Sequence, residues 1–187
     1  MDGQLLLFIQ NNIRLEWLNP VVVFITNLGG NAVFYFAVIA LLLIFPQTRR
    51  VGFMCLVAFF FMYVINNLCI KNIVNRTRPY EVIKDLVPIG KIPSDQSFPS
   101  GHTAGAFSIA LVLFFRAKKY IGIPALIFAV IIAVSRLYVG VHYPTDVLGG
   151  FAVGCLCAFL GIWLGGMAYS FIGRKLAFLK KGSGTAD

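Results

Sequence analysis

The chain has 187 residues, of which 59% are hydrophobic and only 12% are charged, and its formal net charge is +9. An ordinary soluble domain is about half apolar and a quarter charged, so this chain has more apolar surface than one core of its size could bury. The composition excludes an ordinary soluble protein, and the abundance of large apolar side chains excludes a disordered one. We expect one polytopic membrane domain over residues 1–187.

The first 18 residues predict an amphipathic helix that lies on the membrane interface. Leu5, Leu6, Ile9, Ile13 and Trp17 recur at helical spacing, while polar and charged residues interrupt the segment. A short sixth span is the alternative interpretation of this segment.

Five apolar stretches follow, and each approaches the roughly 20 residues that a helix needs to cross a bilayer. They cover residues 21–45, 51–70, 101–115, 120–139 and 147–171. The third is short and gains length from the Pro-Ser pair that precedes it. The predicted fold class is therefore all-α, a polytopic transmembrane helix bundle of about five spans plus the N-terminal helix.

Basic residues are divided unequally between the two sides that five spans create. One side has nine Lys or Arg against the single acid Asp187, a sum of +8, and the other has seven against six acids, a sum of +1. The nine are Arg49, Arg50, Arg116, Lys118, Lys119, Arg174, Lys175, Lys180 and Lys181. The positive-inside rule makes their side cytoplasmic, with residues 172–187 as a basic cytoplasmic tail in a cell membrane. The net charge thus has an explanation that requires no nucleic-acid partner.

The segment 71–99 is the only long polar connection, and it lies on the extracytoplasmic side. Loops longer than about 12–15 residues without structure of their own are commonly functional or disordered. We therefore expect an extracytoplasmic active-site loop here, although a plain solvated linker is the alternative before motifs are considered.

The only two histidines of the chain, His102 and His142, lie on this same side, each in a cluster of polar residues at the mouth of a span. Taken alone, either one is more often a satisfied core residue than a catalyst. Ionisable residues at membrane depth are costly, however, and their polar neighbours favour a functional role.

Other residues on this side are suited to binding a phosphoryl group. Ser100 and Gly101 would lie at a helix N-terminus, where unpaired N–H groups and the helix dipole attract an anion. Lys71, Arg78 and Arg136 would add three cations at the same membrane level, and an Arg can donate two parallel hydrogen bonds to a phosphate. Such a set of donors fits the charge that develops during phosphoryl transfer.

His142 and Asp146 form a candidate nucleophile with its orienting acid. If the fifth helix begins near Pro144, Asp146 follows His142 by one turn, so that its carboxylate can hold the Nδ1 proton and leave Nε2 free to attack phosphorus. His102 suits a general acid that protonates the departing oxygen and then a base that activates water. No metal ion or other cofactor is expected, because no cluster of carboxylates or cysteines is present to hold one.

Three separated motifs on this side resemble the signature motifs of the type-2 phosphatidic acid phosphatase superfamily of lipid phosphatases, in order and with full spacing. They are Lys71-x6-Arg78-Pro79, Pro99-Ser100-Gly101-His102 and Ser135-Arg136-x5-His142-x3-Asp146. The resemblance covers residues 71–146 and implies a helical membrane enzyme. It implies that His142 forms a phosphohistidine, His102 is acid and base, and Asp146 orients His142. The phosphate cradle that it implies is Lys71, Arg78, Ser100, Gly101 and Arg136.

The resemblance also implies a substrate class, a lipid phosphate or diphosphate hydrolysed without a metal ion. Undecaprenyl diphosphate is the first expectation for a small chain with short loops, followed by phosphatidate and phosphatidylglycerophosphate. A phosphotransferase with the same motifs and a non-catalytic transporter or lipid-binding module are the competing hypotheses. The sequence does not indicate an oligomeric state.

Overall fold

The computed structural model describes residues 2–183, with side chains described for residues 2–175, and every regular element in that part of the chain is helical. The prediction of an all-α membrane bundle is confirmed. Three helical runs are long and apolar enough to span a bilayer, and a bent helix pair could provide a fourth span. The short apolar helix Gly101–Arg116 corresponds to the third predicted stretch.

The N-terminal helix α1 (Asp2–Asn12) is too short to cross a membrane, because 11 residues reach only about 16 Å. Its Leu6 is buried beside Leu86 and Tyr143. Phe8 and Trp17, by contrast, are exposed at the protein surface. One face of α1 therefore packs on the protein, and an apolar face remains for lipid; its position on the interface stays a prediction.

The first predicted span, 21–45, is two helices rather than one. Helices α2 (Asn19–Gly30) and α3 (Ala32–Ile44) meet at an angle of 61°. The break follows the pair Gly29-Gly30, and Asn31 begins the new helix by accepting a hydrogen bond from the Val33 amide through Oδ1 at 2.9 Å. A flexible Gly pair followed by a good N-cap residue favours such an interruption.

The second span extends further than its apolar run. Helix α4 (Arg49–Met62) continues through a π-helical segment, Tyr63–Ile70, into α5 (Lys71–Val74). Asn75 ends it in the left-handed conformation (φ 46°), and a one-turn helix α6 (Pro79–Val82) follows inside the polar segment. The continuous helix places Lys71 at the end of a span rather than on a free loop.

The remaining elements are α7 (Gly101–Arg116), α8 (Lys119–Tyr138), α9 (Pro144–Leu160), a π-helical segment (Gly161–Gly165) and α10 (Gly166–Ser183). Helix α7 is central, because it packs on α4, α8 and α9 and is buried on most of its surface. Most of the predicted tail 172–187 continues α10, while its residues 184–187 lie outside the described part. The middle of α7 is thereby enclosed by other helices, and the polar residues of interest cluster at its N-terminus.

Glycines spaced four residues apart allow α9 and its continuation to approach the neighbouring helices closely. A Cβ on Gly150 would lie 2.5 Å from the Ser100 carbonyl oxygen. A Cβ on Gly161 would lie 2.5 Å from Ala58 Cβ and 2.6 Å from the Met54 carbonyl oxygen. These contacts agree with the close helix packing that small residues permit in membranes.

We expect Gly161→Ala to destabilise the protein by about 1–3 kcal/mol, because the added methyl meets backbone atoms of α4 that cannot move aside. The midpoint of thermal unfolding, followed by circular dichroism in detergent, should fall. Gly173→Ala is the matched control, since a Cβ there meets nothing within 4 Å. Equal midpoints for the two variants would contradict the packing argument.

Candidate active site

His142 lies in the tight turn between α8 and α9. Gly140 has a φ of +77°, which lets the chain reverse directly after α8. Pro144 then begins α9, and Asp146 closes the first turn by accepting a hydrogen bond from the Tyr143 amide at 2.8 Å. His142 and Asp146 are therefore held on one short, rigid segment, as their spacing predicts.

The Asp146 carboxylate is completely buried and receives hydrogen bonds from several parts of the chain. Its Oδ2 accepts from Ser97 Oγ as well as from the Tyr143 amide. Its Oδ1 accepts from Arg76 Nη1 at 2.6 Å. The distance from Oδ2 to His142 Nδ1 is 3.5 Å, which is longer than an ordinary hydrogen bond. The structure thus brings the two residues together and adds Arg76 and Ser97 to them.

The two ring nitrogens of His142 face opposite charges. Nδ1 faces Asp146, while Nε2 lies 3.4 Å from Arg78 Nη1. Because a guanidinium has no acceptor, the nitrogen that faces it is the unprotonated one. Burial, with the charges of Arg136 and Arg78, lowers the pKa of His142 to about 4, although Asp146 acts in the opposite direction. The ring is neutral at physiological pH, and its Nε2 lone pair faces Arg78.

Arg78 is buried and fixed by the backbone on two sides. Its Nη1 donates to the Val141 carbonyl at 2.8 Å, and its Nε donates to the Asp95 carbonyl at 2.6 Å. Its Nη2 donates to the Asp95 carboxylate at 2.6 Å. The Lys71 ammonium, which is also buried, forms an ion pair with the other carboxylate oxygen of Asp95. The two predicted cradle cations are therefore joined through Asp95.

Asp95 is the acid of the polar segment that faces these cations. Its side chain is 51% exposed, whereas those of Lys71 and Arg78 are 7% and 2% exposed. Partial burial would raise the pKa of Asp95, but the hydrogen bonds and charges of Lys71 and Arg78 lower it to about 2. The carboxylate is ionised at any physiological pH.

The N-terminus of α7 lies beside the same cations. Ser100 caps the helix, because its hydroxyl oxygen accepts from the Thr103 amide at 3.4 Å, and its own amide donates to the Asp146 carbonyl at 3.0 Å. The Ser100 amide is therefore already engaged. A Cβ on Gly101 would lie 3.9 Å from Lys71 Nζ, so the start of α7 lies close to that ammonium.

His102 and Arg136 line a polar cavity of about 610 Å³ together with Asp95 and Thr26. Arg136 is buried and donates through Nη1 to Thr26 Oγ1 at 2.7 Å, which ties α8 to α2. His102 packs against Gly30 at the break between α2 and α3, where a Cβ would overlap its Nε2. The structure therefore gathers the eight predicted site residues around the N-terminal end of α7.

His102 and Gly30 also line a second cavity of about 460 Å³. Most of its wall is apolar, including Tyr35, Phe36 and Phe59. A polar cavity and an apolar cavity thus meet at one imidazole. Such an arrangement suits a ligand with a charged head and an apolar remainder.

Sequence reasoning missed two residues of this site and left a third undecided. Asp95 and Ser97 belong to the polar segment and have no role assigned from the sequence, and Arg76 lies within the first motif but off its fixed positions. Their position in the chain was a usable signal, because Asp95 and Ser97 directly precede the Pro99-Ser100 motif. Their partners could not be read from the sequence, since Arg76 and Asp146 are 70 positions apart.

Comparison with known proteins gives consistent relatives. The family described as the PAP2 superfamily matches residues 50–169. Undecaprenyl-diphosphatase of Sulfolobus acidocaldarius is 33% identical over 152 residues, which cover 81% of this chain and 73% of that protein. The crystal structure of a transmembrane PAP2-type phosphatidylglycerolphosphate phosphatase from Bacillus subtilis is 33% identical. Its TM-score is 0.72, and the match covers 87% of this chain and 83% of that one. The crystal structure of Aquifex aeolicus LpxE is 29% identical with a TM-score of 0.77, covering 86% of this chain and 94% of that one.

We expect Arg76→Gln to raise the pKa of His142, because the charge of Asp146 then acts on the imidazole without a competing cation. The acid limb of kcat/KM for phosphate release should move to higher pH, and kcat should fall because the carboxylate is held less firmly. Arg76→Lys should restore part of kcat. Lys84→Gln removes an exposed cation from the same side and serves as the control. An unchanged acid limb in Arg76→Gln would contradict this coupling.

Proposed function

This chain belongs to the PAP2 superfamily, and from that premise we propose that it hydrolyses a terminal phosphate of a lipid (di)phosphate through a phosphohistidine intermediate. It is an integral-membrane lipid phosphate phosphatase of the metal-independent class. The observation that carries the proposed mechanism is the position of His142. Its unprotonated Nε2 faces the buried guanidinium of Arg78, 3.4 Å away.

The first step forms a nitrogen–phosphorus bond. Nε2 of His142 attacks phosphorus, and the bond from phosphorus to the lipid-bearing oxygen breaks. Asp146 stabilises the positive charge that develops on the ring, and Lys71, Arg78 and Arg136 stabilise the charge on the phosphoryl oxygens. His102 donates a proton to the departing oxygen.

The second step releases inorganic phosphate. His102, now neutral, accepts a proton from a water molecule, and the water oxygen attacks phosphorus as the nitrogen–phosphorus bond breaks. His142 regains its lone pair, and both imidazoles return to their starting state. A phosphotransferase would follow the same course with an acceptor hydroxyl in place of water.

The substrate that we propose first is undecaprenyl diphosphate, which would be converted to undecaprenyl phosphate. The relative from Sulfolobus acidocaldarius bears the name undecaprenyl-diphosphatase, and the meeting of a polar and an apolar cavity at His102 supports a phosphorylated lipid. Phosphatidylglycerophosphate and phosphatidate are the alternatives. The name of the Bacillus subtilis phosphatase supports the first of these two.

We further propose that the protein resides in the cell membrane with the site on the extracytoplasmic face and the C-terminus in the cytoplasm. The support is the distribution of charge, +8 on one side and +1 on the side of the site. The substrate would then be met in the outer leaflet. The segment 71–99 would be the extracytoplasmic active-site loop.

The direct test is phosphate release by the purified protein in detergent with EDTA, comparing undecaprenyl diphosphate, phosphatidylglycerophosphate and phosphatidate. We expect undecaprenyl diphosphate to give the highest kcat/KM. We expect the rate of phosphate release by His142→Ala to be at least about a thousandfold lower, because the nucleophile is removed. Lys84→Ala, an exposed residue on the same side, is the control. Full activity in His142→Ala would contradict the mechanism, and dependence on an added acceptor would favour the phosphotransferase.

Sidedness is tested by thiol labelling in intact cells. Lys91 is exposed in the polar segment, and Lys118 is exposed between α7 and α8, on the opposite side. In a Cys69→Ser background, which removes an exposed native thiol, we expect Lys91→Cys to react with an impermeant maleimide before lysis and Lys118→Cys only after it. The reverse pattern would invert the proposed topology.

A further inference from the structure

We propose that Asp95 is the resident anion of the phosphate cradle. Its carboxylate occupies Lys71 and Arg78 when no substrate is bound, and the substrate phosphate displaces it. Asp95 would thereby set the affinity of the site for the phosphate of the substrate and of the product. This inference rests on the proposed function, because it concerns the same site and the same anion.

The contacts of Asp95 are those that a phosphate would make. One carboxylate oxygen accepts from Arg78 Nη2 at 2.6 Å, and the other is paired with the Lys71 ammonium. A carboxylate bound to a guanidinium and an ammonium matches the way two phosphate oxygens bind those groups. Arg78 in turn lies 3.4 Å from His142 Nε2, so a phosphorus within reach of that nitrogen must place its oxygens near these donors.

The carboxylate and a phosphate cannot share these donors. Both are anionic, and like charges a few ångströms apart in a partly desolvated site repel strongly. Asp146 is no substitute counter-ion, because its oxygens are taken by Arg76, Ser97 and the Tyr143 amide. Asp95 is thus the acid that neutralises the two buried cations until the substrate arrives.

The side chain of Asp95 can leave without rearrangement of the backbone. Arg78 Nε holds the Asp95 carbonyl at 2.6 Å, independently of the carboxylate. On one side of Asp95, Tyr80 Oη donates to the Pro93 carbonyl at 2.7 Å, and on the other the Ser97 amide donates to the Arg76 carbonyl at 2.8 Å. Because the side chain is already half exposed, rotation about its own bonds carries the carboxylate into solvent while Arg78 stays in place.

Asp95 also has a role after the reaction, when its carboxylate displaces the product phosphate. Hydrolysis leaves inorganic phosphate among buried cations, which would hold it tightly. The returning carboxylate competes for the same donors and promotes release of the product. The cost is a weaker apparent affinity for substrate, since each binding event must first displace an internal competitor.

The test is the affinity of inorganic phosphate for the purified protein, measured by isothermal titration calorimetry in detergent and as the inhibition constant in lipid hydrolysis. We expect Asp95→Asn, which keeps the size of the side chain and removes its charge, to bind phosphate about tenfold more tightly. KM for the lipid should fall in the same direction. Weaker or unchanged phosphate binding would overturn the proposal and make Asp95 a residue that positions the cations.

Asp85→Asn is the matched control. Asp85 is an exposed acid of the same segment whose carboxylate makes no contact with Lys71 or Arg78, so the variant has the same change in net charge and should leave phosphate affinity unchanged. An equal gain in phosphate affinity in both variants would show that net charge causes the effect and would overturn the proposal.

Stability gives a second readout if Asp95→Asn is difficult to purify. Two buried cations lose their counter-ion in this variant, so its thermal midpoint should fall in phosphate-free buffer and rise with added phosphate by more than that of the wild type. A midpoint that phosphate does not raise would contradict the proposal. Failure of the wild type to hydrolyse any of the lipids would instead contradict the proposed function, since phosphate binding is measured without a lipid.

Discussion

The buried carboxylate of Asp146 is the interaction on which the geometry of the site depends. It caps the start of α9 through the Tyr143 amide, accepts from Ser97 of the polar segment and forms an ion pair with Arg76. A buried charge is costly unless it is paired and hydrogen-bonded, so these three segments must stay together as long as the carboxylate is ionised. His142 lies one turn away, with its Nδ1 3.5 Å from the same carboxylate. The position of the proposed nucleophile thus depends on the charge balance of the fold itself.

The cations of the site are also costly to bury without a partner. Lys71, Arg78 and Arg136 are buried at one end of the bundle, where each needs a partner in place of water. Asp95 and Thr26 supply these partners in the structure. This pairing agrees with the nearly neutral sum of charges on the side of the site, which we propose to be extracytoplasmic. Three of the six acids on this side, Asp2, Asp95 and Asp146, are partners of particular cations.

The sequence was sufficient for the class of fold and for the grouping of the eight site residues, because both depend on local patterns. Apolar length marks the spans, and fixed spacing within short motifs sets which side chains share a helix turn, as for His142 and Asp146. The break at Gly29-Gly30 was not predicted, since apolar residues continue on both sides of it. The pairing of Lys71 with Asp95 and of Arg76 with Asp146 was not predicted either. These contacts join distant segments, and only the packing of α4, α7 and α9 decides which of several acids meets which cation.

The bend between α2 and α3 has a consequence for which part of a lipid the protein would recognise. It leaves Gly30 between the polar cavity and the apolar cavity, whose volume of about 460 Å³ is that of an ordinary small-molecule pocket. A pocket of that size encloses only the part of a lipid that adjoins the phosphate, and the rest of a long chain stays among the surrounding acyl chains. For the lipid substrate that we propose, selectivity would therefore reside in the few carbons nearest the headgroup, and homologues that differ only in the number of distal isoprene units or methylenes would be equivalent to this protein.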